Sequence, residues 1–290
     1  MTERISSLDQ ILSHVKSLII GNRKPRAAIL GGKDEHVLEA VTRADKGGLI
    51  DSLNIENGES IEQAIGICSE KFKKKEIDFI LIGNYEKLTT NKNLYDVLSI
   101  LIPPGKFINH VAVFEAPGYP GFLLMSDGFI NVAPDIKGKL ALITNAVKLS
   151  KILGISRPKV ALLAAVEVVY PGMRVTEESA EIAAMFDKGE IEGCLVDGPL
   201  SFDVATVPDI ARQKGKISEV AGRADILIAP NIETGNGIYK AMSVFVKSKI
   251  AGVIMGGEIP IAVSSQCDSS ENVFYSLLLG AFMTLDKTVK

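Results

Sequence analysis

The sequence predicts an α/β protein of two lobes, an α/β/α arrangement built on mainly parallel sheets. Three observations carry this. Strand-sized apolar runs alternate with helical segments along nearly the whole chain, the rhythm of a parallel sheet with crossover helices. Some of these runs, Lys159 to Val166 above all, are apolar on both sides, as in a strand covered by helices on each face. The rhythm breaks once, at Ala116 to Gly121, where a Pro/Gly-rich turn joins two apolar runs and predicts an antiparallel hairpin. That hairpin marks the expected boundary. Residues 1–130 with 269–290 are expected to form the first lobe and 131–268 the second, with a cleft between them.

The elements follow in order. Ser7 to Ile20 places Leu8, Ile11, Leu12, Val15, Leu18 and Ile19 on one helical face. Arg26 to Leu30 is the first strand, and Lys33 to Lys46 the helix after it. Ser60 to Lys75 reads as a helix with a serine cap and a lysine-rich end, which suits the two ends of its dipole. Ile77 to Ile82 is a strand, and Leu94 to Ile102 a helix stopped by Pro103 and Pro104. His110 to Phe114 and Phe122 to Met125 form the hairpin. A second series runs from the helix Ile136 to Leu153 through the strand Lys159 to Val166 and the helix Glu177 to Lys188. Then come the strand Cys194 to Val196, a helix from Pro208, the strand Asp225 to Ala229 and a helix over Gly237 to Lys247. The strands Gly252 to Met255 and Ile259 to Val263 and the helix Ser269 to Leu285 close the chain.

Composition narrows the function. A net charge of −3 argues against a nucleic-acid footprint, which needs a basic face. No apolar run reaches bilayer length and the N-terminal stretch has no hydrophobic signal core, so neither a membrane span nor a secretory leader is expected. Three cysteines, Cys68, Cys194 and Cys267, match no metal-ligand spacing and no even disulfide set, which predicts a cytoplasmic protein with no metal.

Three strand ends gather small and polar residues: Asp197 to Asp203, Pro230 to Asn236, and Ser264 to Ser270. Read as loops on one sheet edge, they predict a shared site. The last is the most suggestive, because a strand ending in hydroxyls followed by a helix entry is suited to an anion. Gly31, Gly32 and Lys33 lack the spacing of a phosphate loop and read as an ordinary strand-to-helix turn.

The segments His110 to Glu115, Asn131 to Asp135, Ala164 to Val169, Val196 to Leu200 with Asp203, Ala224 to Ile228, Gly235-Asn236 with Tyr239-Lys240, and Ser264-Ser265 together resemble the phosphate acetyltransferase/phosphate butyryltransferase family, more closely its butyryl branch. The resemblance spans residues 26 to 285. It implies an isocitrate/isopropylmalate dehydrogenase-like fold with the active-site cleft between lobes. It also implies reversible transfer of a short acyl group (butyryl, branched or acetyl) between coenzyme A and inorganic phosphate. Both are substrates, no metal or redox cofactor is implied, and the expected assembly is a homodimer or larger homo-oligomer. In the family the thiolate of coenzyme A attacks the carbonyl of the acyl phosphate, and phosphate leaves.

Carried over, Ser265 matches the phosphate-contacting serine, and Ser264, Ser265 and Gln266 are the implied phosphate residues. Asp197, Gly198, Pro199, Asn231, Gly235, Asn236 and Lys240 are the positions implied for coenzyme A. The aspartate base of the acetyl branch, seven residues after the serine, falls on Asn272, which leaves the nearby Asp268 and Glu271 as the candidate catalytic carboxylates beside Ser265. The chain departs from the family elsewhere too. Gln266 stands where the family has arginine, Tyr95 or a neighbour replaces a second arginine, and Ile82-Gly83-Asn84, with Lys87 further on, replaces a Met-Lys-Gly turn. Glutamine cannot offer a charged fork to phosphate. The alternative is therefore a diverged coenzyme A-binding member whose phosphate acyltransfer is impaired or lost.

Overall fold

The structure, a computed structural model, describes residues 4–55, 60–84, 86, 94–102 and 105–285. Helix α1 (Leu8–Ile20) opens with a capping box: Ser7 accepts from the Gln10 N–H, and the Gln10 side chain reaches back to the cap backbone. The chain continues through β1 (Arg26–Leu30), α2 (Glu35–Lys46), β2 (Asp51–Asn54), α3 (Ile61–Lys73) and β3 (Phe79–Ile82). Next come α4 (Leu94–Leu98), β4 (Asn109–Glu115), β5 (Phe122–Ser126), α5 (Ile136–Ile152), β6 (Lys159–Leu163), α6 (Arg174–Asp187) and β7 (Leu195–Leu200). The last part is α7 (Phe202–Thr206), α8 (Pro208–Gln213), β8 (Ile226–Ile228), α9 (Ile232–Val244), β9 (Lys249–Met255), β10 (Ile261–Val263) and α10 (Ser270–Leu285). Pro103 and Pro104 lie outside the described residues.

The described strands join one ten-stranded sheet in the order β2-β1-β3-β10-β9-β4-β5-β8-β6-β7. Alternation along each strand splits the core. Ala27 and Ile29 of β1 join one apolar cluster, with α1, α2, α5 and α10; Ala28 and Leu30 join the other, with α3, α4 and α9. Helices thus cover both faces, which is why β1, β3 and β6 are apolar on both sides. The hairpin is present: β4 and β5 pair antiparallel from Ala112–Met125 to Glu115–Phe122.

Two features of the sheet depart from the sequence reading. Strands β9 and β10, which the expected boundary assigns to the second lobe, are hydrogen-bonded to β4 and β3 of the first half. The chain direction also changes within the sheet. β10 is parallel to β3 but antiparallel to β9, which is antiparallel to β4, and β4 to β5, while β8, β6 and β7 run with β5. The carboxyl ends of β7 and β8 therefore lie on the opposite edge of the sheet from that of β10.

Helix α10 is interior. Asn272 to Met283 are all buried, against β9, β10, α1 and α2. The Arg43 guanidinium lies 3.9 Å over the Phe274 ring. Its apolar character is thus accounted for by this chain's own core.

Candidate active site

The carboxyl end of β10 is held against that of β3. The Ser264 N–H donates to the Ile82 carbonyl at 3.0 Å, and the Ser264 hydroxyl accepts from the Asn84 N–H at 3.1 Å. Asn84 takes a left-handed φ of 52° and donates its side-chain amide to Asp34, the cap of α2. Ser264 is fully buried in this junction, so it fastens the two strand ends to each other.

One residue on, polarity opens outward. The Ser265 hydroxyl donates to Glu86 Oε1 at 2.5 Å, and the Gln266 backbone N–H to Glu86 Oε2 at 2.8 Å. The Lys240 ammonium, from the second half of α9, lies 3.8 Å from the same Oε1. A hydroxyl, a backbone amide and a cation thus converge on a single carboxylate. At position 266 the backbone, not the side chain, makes the contact, and the glutamine itself is exposed. The Cys267 thiol sits 3.4 Å from the Ser265 hydroxyl.

Behind Ser265, a buried pair sets the turn. Asp268 Oδ2 accepts from the Ser265 backbone N–H at 2.8 Å and from the Tyr239 hydroxyl at 2.7 Å. Tyr239 and Asp268 are both buried. Burial pushes the Asp268 carboxyl up to about 6, against the hydrogen bonds from Tyr239 and Ser265 that favour its charge; the negative Glu86 adds to the rise. Burial likewise pushes the Tyr239 hydroxyl well above its ordinary value, helped by Asp268.

This has a measurable consequence. A carboxyl that ionises near 3.8 when unfolded and near 6 when folded costs the fold on the order of 3 kcal/mol once pH exceeds both values. The cost fades as pH falls through about 6 and is gone below about 3.8. Asp268→Asn cannot ionise and lacks this slope. Urea midpoints measured from pH 7 to pH 4 should therefore shift in favour of the wild type, relative to the variant, as pH falls. A constant difference would show that burial does not raise the Asp268 carboxyl.

The structure gathers some of the sequence-predicted residues and separates others. Ser265, Gln266, Asp268 and Lys240 meet at the end of β10. Glu271 points to another group: its carboxylate lies 3.3 Å from the Tyr275 hydroxyl, whose single proton is shared between it and the nearer Asp9 at 2.8 Å. Asp197, Gly198 and Pro199 lie within β7, not in a loop, and six strand positions from β10, roughly 29 Å along the sheet. Their expected sharing of one edge with Ser265 fails for the topological reason given above. Asp197 pairs there with Lys216 at 3.3 Å. A Cβ on Gly198 would stand 2.6 Å from Leu162, so this glycine lets β7 close on β6.

The segment Pro230 to Asn236 is also mostly not a loop. Asn231 caps α9, accepting from the Thr234 N–H at 2.9 Å, and Gly235 and Asn236 are already helical. The Asn231 side chain donates to Asp127 at 2.6 Å and to the Ile108 carbonyl at 2.9 Å. A Cβ at Gly235 would lie 2.0 Å from the Asp127 carbonyl oxygen, and Asn236 donates to the Gly128 carbonyl at 3.1 Å. This end of α9 is therefore seated on the turn after β5. The helix then carries Tyr239 and Lys240 to the end of β10. Of the sequence departures, Lys87 lies outside the described residues, and Tyr95 sits half-buried on α4 against the second apolar cluster.

Two groups escaped the sequence reading. Glu86 is a single acid in a polar stretch, with no periodicity or motif to single it out. Asp127 is a buried acceptor for the backbone of His110, Phe129, Ile130 and Asn131. Its carboxyl is pushed up by burial, which those hydrogen bonds oppose. His110 is buried, stacked 3.9 Å on Phe129, and burial drives its imidazole down to about 3, so it is neutral.

Comparison with known proteins shows the family and the fold. A family model described as phosphate acetyl/butaryl transferase matches residues 56–281. A phosphate butyryltransferase from Clostridium acetobutylicum is 35% identical over 304 residues, covering 98% of this chain and all of that protein. A solved branched-chain phosphotransacylase from Enterococcus faecalis V583 superposes with a TM-score of 0.75 at 26% identity, covering 90% of this chain and 99% of that one. An isocitrate dehydrogenase from Methylococcus capsulatus superposes with a TM-score of 0.50 at 13% identity, a likeness of fold alone.

Proposed function

The chain belongs to the phosphate acetyl/butyryl transferase family, and from that premise we propose that it transfers a short acyl group reversibly between coenzyme A and inorganic phosphate at the end of β10. The observation that carries the assignment of this place is the convergence of the Ser265 hydroxyl, the Gln266 N–H and the Lys240 ammonium on one carboxylate. Those are the donors an anionic substrate asks for.

The chemistry follows from that set. In the acyl-phosphate-forming direction a phosphate oxygen attacks the thioester carbonyl, a tetrahedral oxyanion forms, and the thiolate of coenzyme A leaves and takes up the proton that the phosphate gives up. In reverse, the thiolate attacks the acyl phosphate and phosphate leaves. Charge gathers on the phosphate oxygens or on the carbonyl oxygen, and fixed donors aimed there lower the barrier. Ser265 is the central donor. Its backbone is held by Asp268, which is itself held by Tyr239. That chain fixes the Ser265 backbone, and with it the place from which the hydroxyl is offered, before substrate arrives. Asp268 is buried and engaged at Oδ2, which suits it to positioning Ser265.

This reading needs no metal or redox cofactor. A homodimer or larger assembly is part of this reading. The three free cysteines agree with a cytoplasmic setting, and no described helix is long and apolar enough to cross a membrane.

The neutral Gln266 favours a second reading, a coenzyme A-binding protein that has lost phosphate transfer. Thiol release from acetyl-, butyryl- and isobutyryl-CoA, with and without phosphate, separates the two when Gln266→Arg is run beside the wild type. Phosphate-dependent release by the wild type supports the transferase. Release by the arginine variant alone supports the lost-activity reading.

A further inference from the structure

We infer that Glu86 is a built-in competitor for the phosphate subsite and sets how much phosphate the enzyme requires. This rests on the reading above, because it takes Ser265, Gln266 and Lys240 as the donors for the phosphate that is transferred. The Glu86 carboxylate uses both of its oxygens. Oε1 takes the Ser265 hydroxyl at 2.5 Å with Lys240 3.8 Å away, and Oε2 takes the Gln266 N–H at 2.8 Å. Among the described residues these are its only hydrogen-bond and ion-pair partners.

Carboxylate and phosphate offer the same thing to those donors: acceptor oxygens that carry negative charge. They cannot share them. A hydroxyl has one proton to give and a backbone amide one. Two anions at contact distance also repel. The balance of charge makes the competition sharper. Among the described residues Lys240 is the one cation paired with Glu86, and position 266 adds none. Phosphate therefore takes the subsite only in the fraction of molecules from which the Glu86 side chain has swung out. Its apparent affinity is reduced by that fraction. Glu86 is suited to such movement: its side chain is 26% exposed, and that of Lys240 is 47% exposed.

The test is phosphate titration of wild type, Glu86→Gln and Glu86→Ala, by calorimetry and in the thiol-release assay. If the carboxylate fills the subsite about nine-tenths of the time, both variants should bind phosphate about tenfold more tightly. Their KM for phosphate should fall by the same factor, the KM for acyl-CoA should be unchanged, and inhibition by sulfate should strengthen in parallel. A wild type that turns over with phosphate, and whose phosphate KM does not fall in either variant, overturns the competitor and leaves acyl transfer standing. So does a collapse of kcat at unchanged phosphate KM, which would make Glu86 part of the proton chemistry. Absence of phosphate binding and of phosphate-dependent turnover in all three proteins overturns the competitor together with the reading beneath it.

Discussion

Ser265→Ala is expected to lower kcat for phosphate-dependent thiol release by at least about a hundredfold, the usual effect of removing one fixed donor from a developing anion. The prediction is clean because of how the residue is held. The contact to Asp268 comes from the Ser265 backbone N–H, which alanine retains, and Ser265 is almost wholly buried in a turn that Asp268 closes. What the substitution removes is the hydroxyl that faces Glu86. Affinity for coenzyme A by calorimetry should therefore stay within about twofold, and so should the thermal midpoint within a degree or two. A loss of less than about tenfold in kcat would mean that the hydroxyl does not face the reacting group.

Gly235→Ala is expected to destabilise the fold by about 3 kcal/mol, the upper range for forcing a methyl group into a packed contact. The added Cβ would stand 2.0 Å from the Asp127 carbonyl oxygen and 2.8 Å from its carbon, and neither is a flexible side chain that can turn aside. To make room, the first turns of α9 must lift from the loop after β5, and Tyr239 and Lys240 move with them. Gly237→Ala, two residues along the same helix, is the control. Nothing lies within 4 Å of its Cβ, so there the ordinary helix preference for alanine over glycine should leave stability unchanged or raise it by up to about 1 kcal/mol. Urea unfolding of the two variants should give opposite signs. Equal effects would place the helix differently from the structure described.

These two sites mark what the sequence makes legible and what it hides. The helix cap at Ser60, the apolar strands β1, β3 and β6 and the hairpin of β4 with β5 are all visible, because capping, burial and turns act on neighbouring residues. Strand β2 is not visible. Asp51 to Asn54 is polar and exposed at the sheet edge, and only its pairing with β1 makes it a strand. Pro230 to Asn236 looks like a loop for its glycines, whereas Gly235 is glycine because α9 meets a backbone there. Ser265 was legible as a hydroxyl at a strand end. Its acceptor Glu86 follows β3, which pairs with β10, while α9 brings Tyr239 to Asp268 and Lys240 to Glu86, so the group is assembled from residues far apart along the chain. The reversal at the antiparallel β4–β5 hairpin puts Asp197 to Pro199 on the opposite edge from Ser265.

The most direct test of acyl transfer to phosphate is to supply the purified protein with butyryl-CoA and phosphate and to trap the product with hydroxylamine. Butyryl hydroxamate should form in step with the coenzyme A thiol released, and its formation should disappear when phosphate is omitted. Thiol release that proceeds equally without phosphate and yields free acid, or no turnover of acetyl-, butyryl- or isobutyryl-CoA at saturating phosphate, would contradict it.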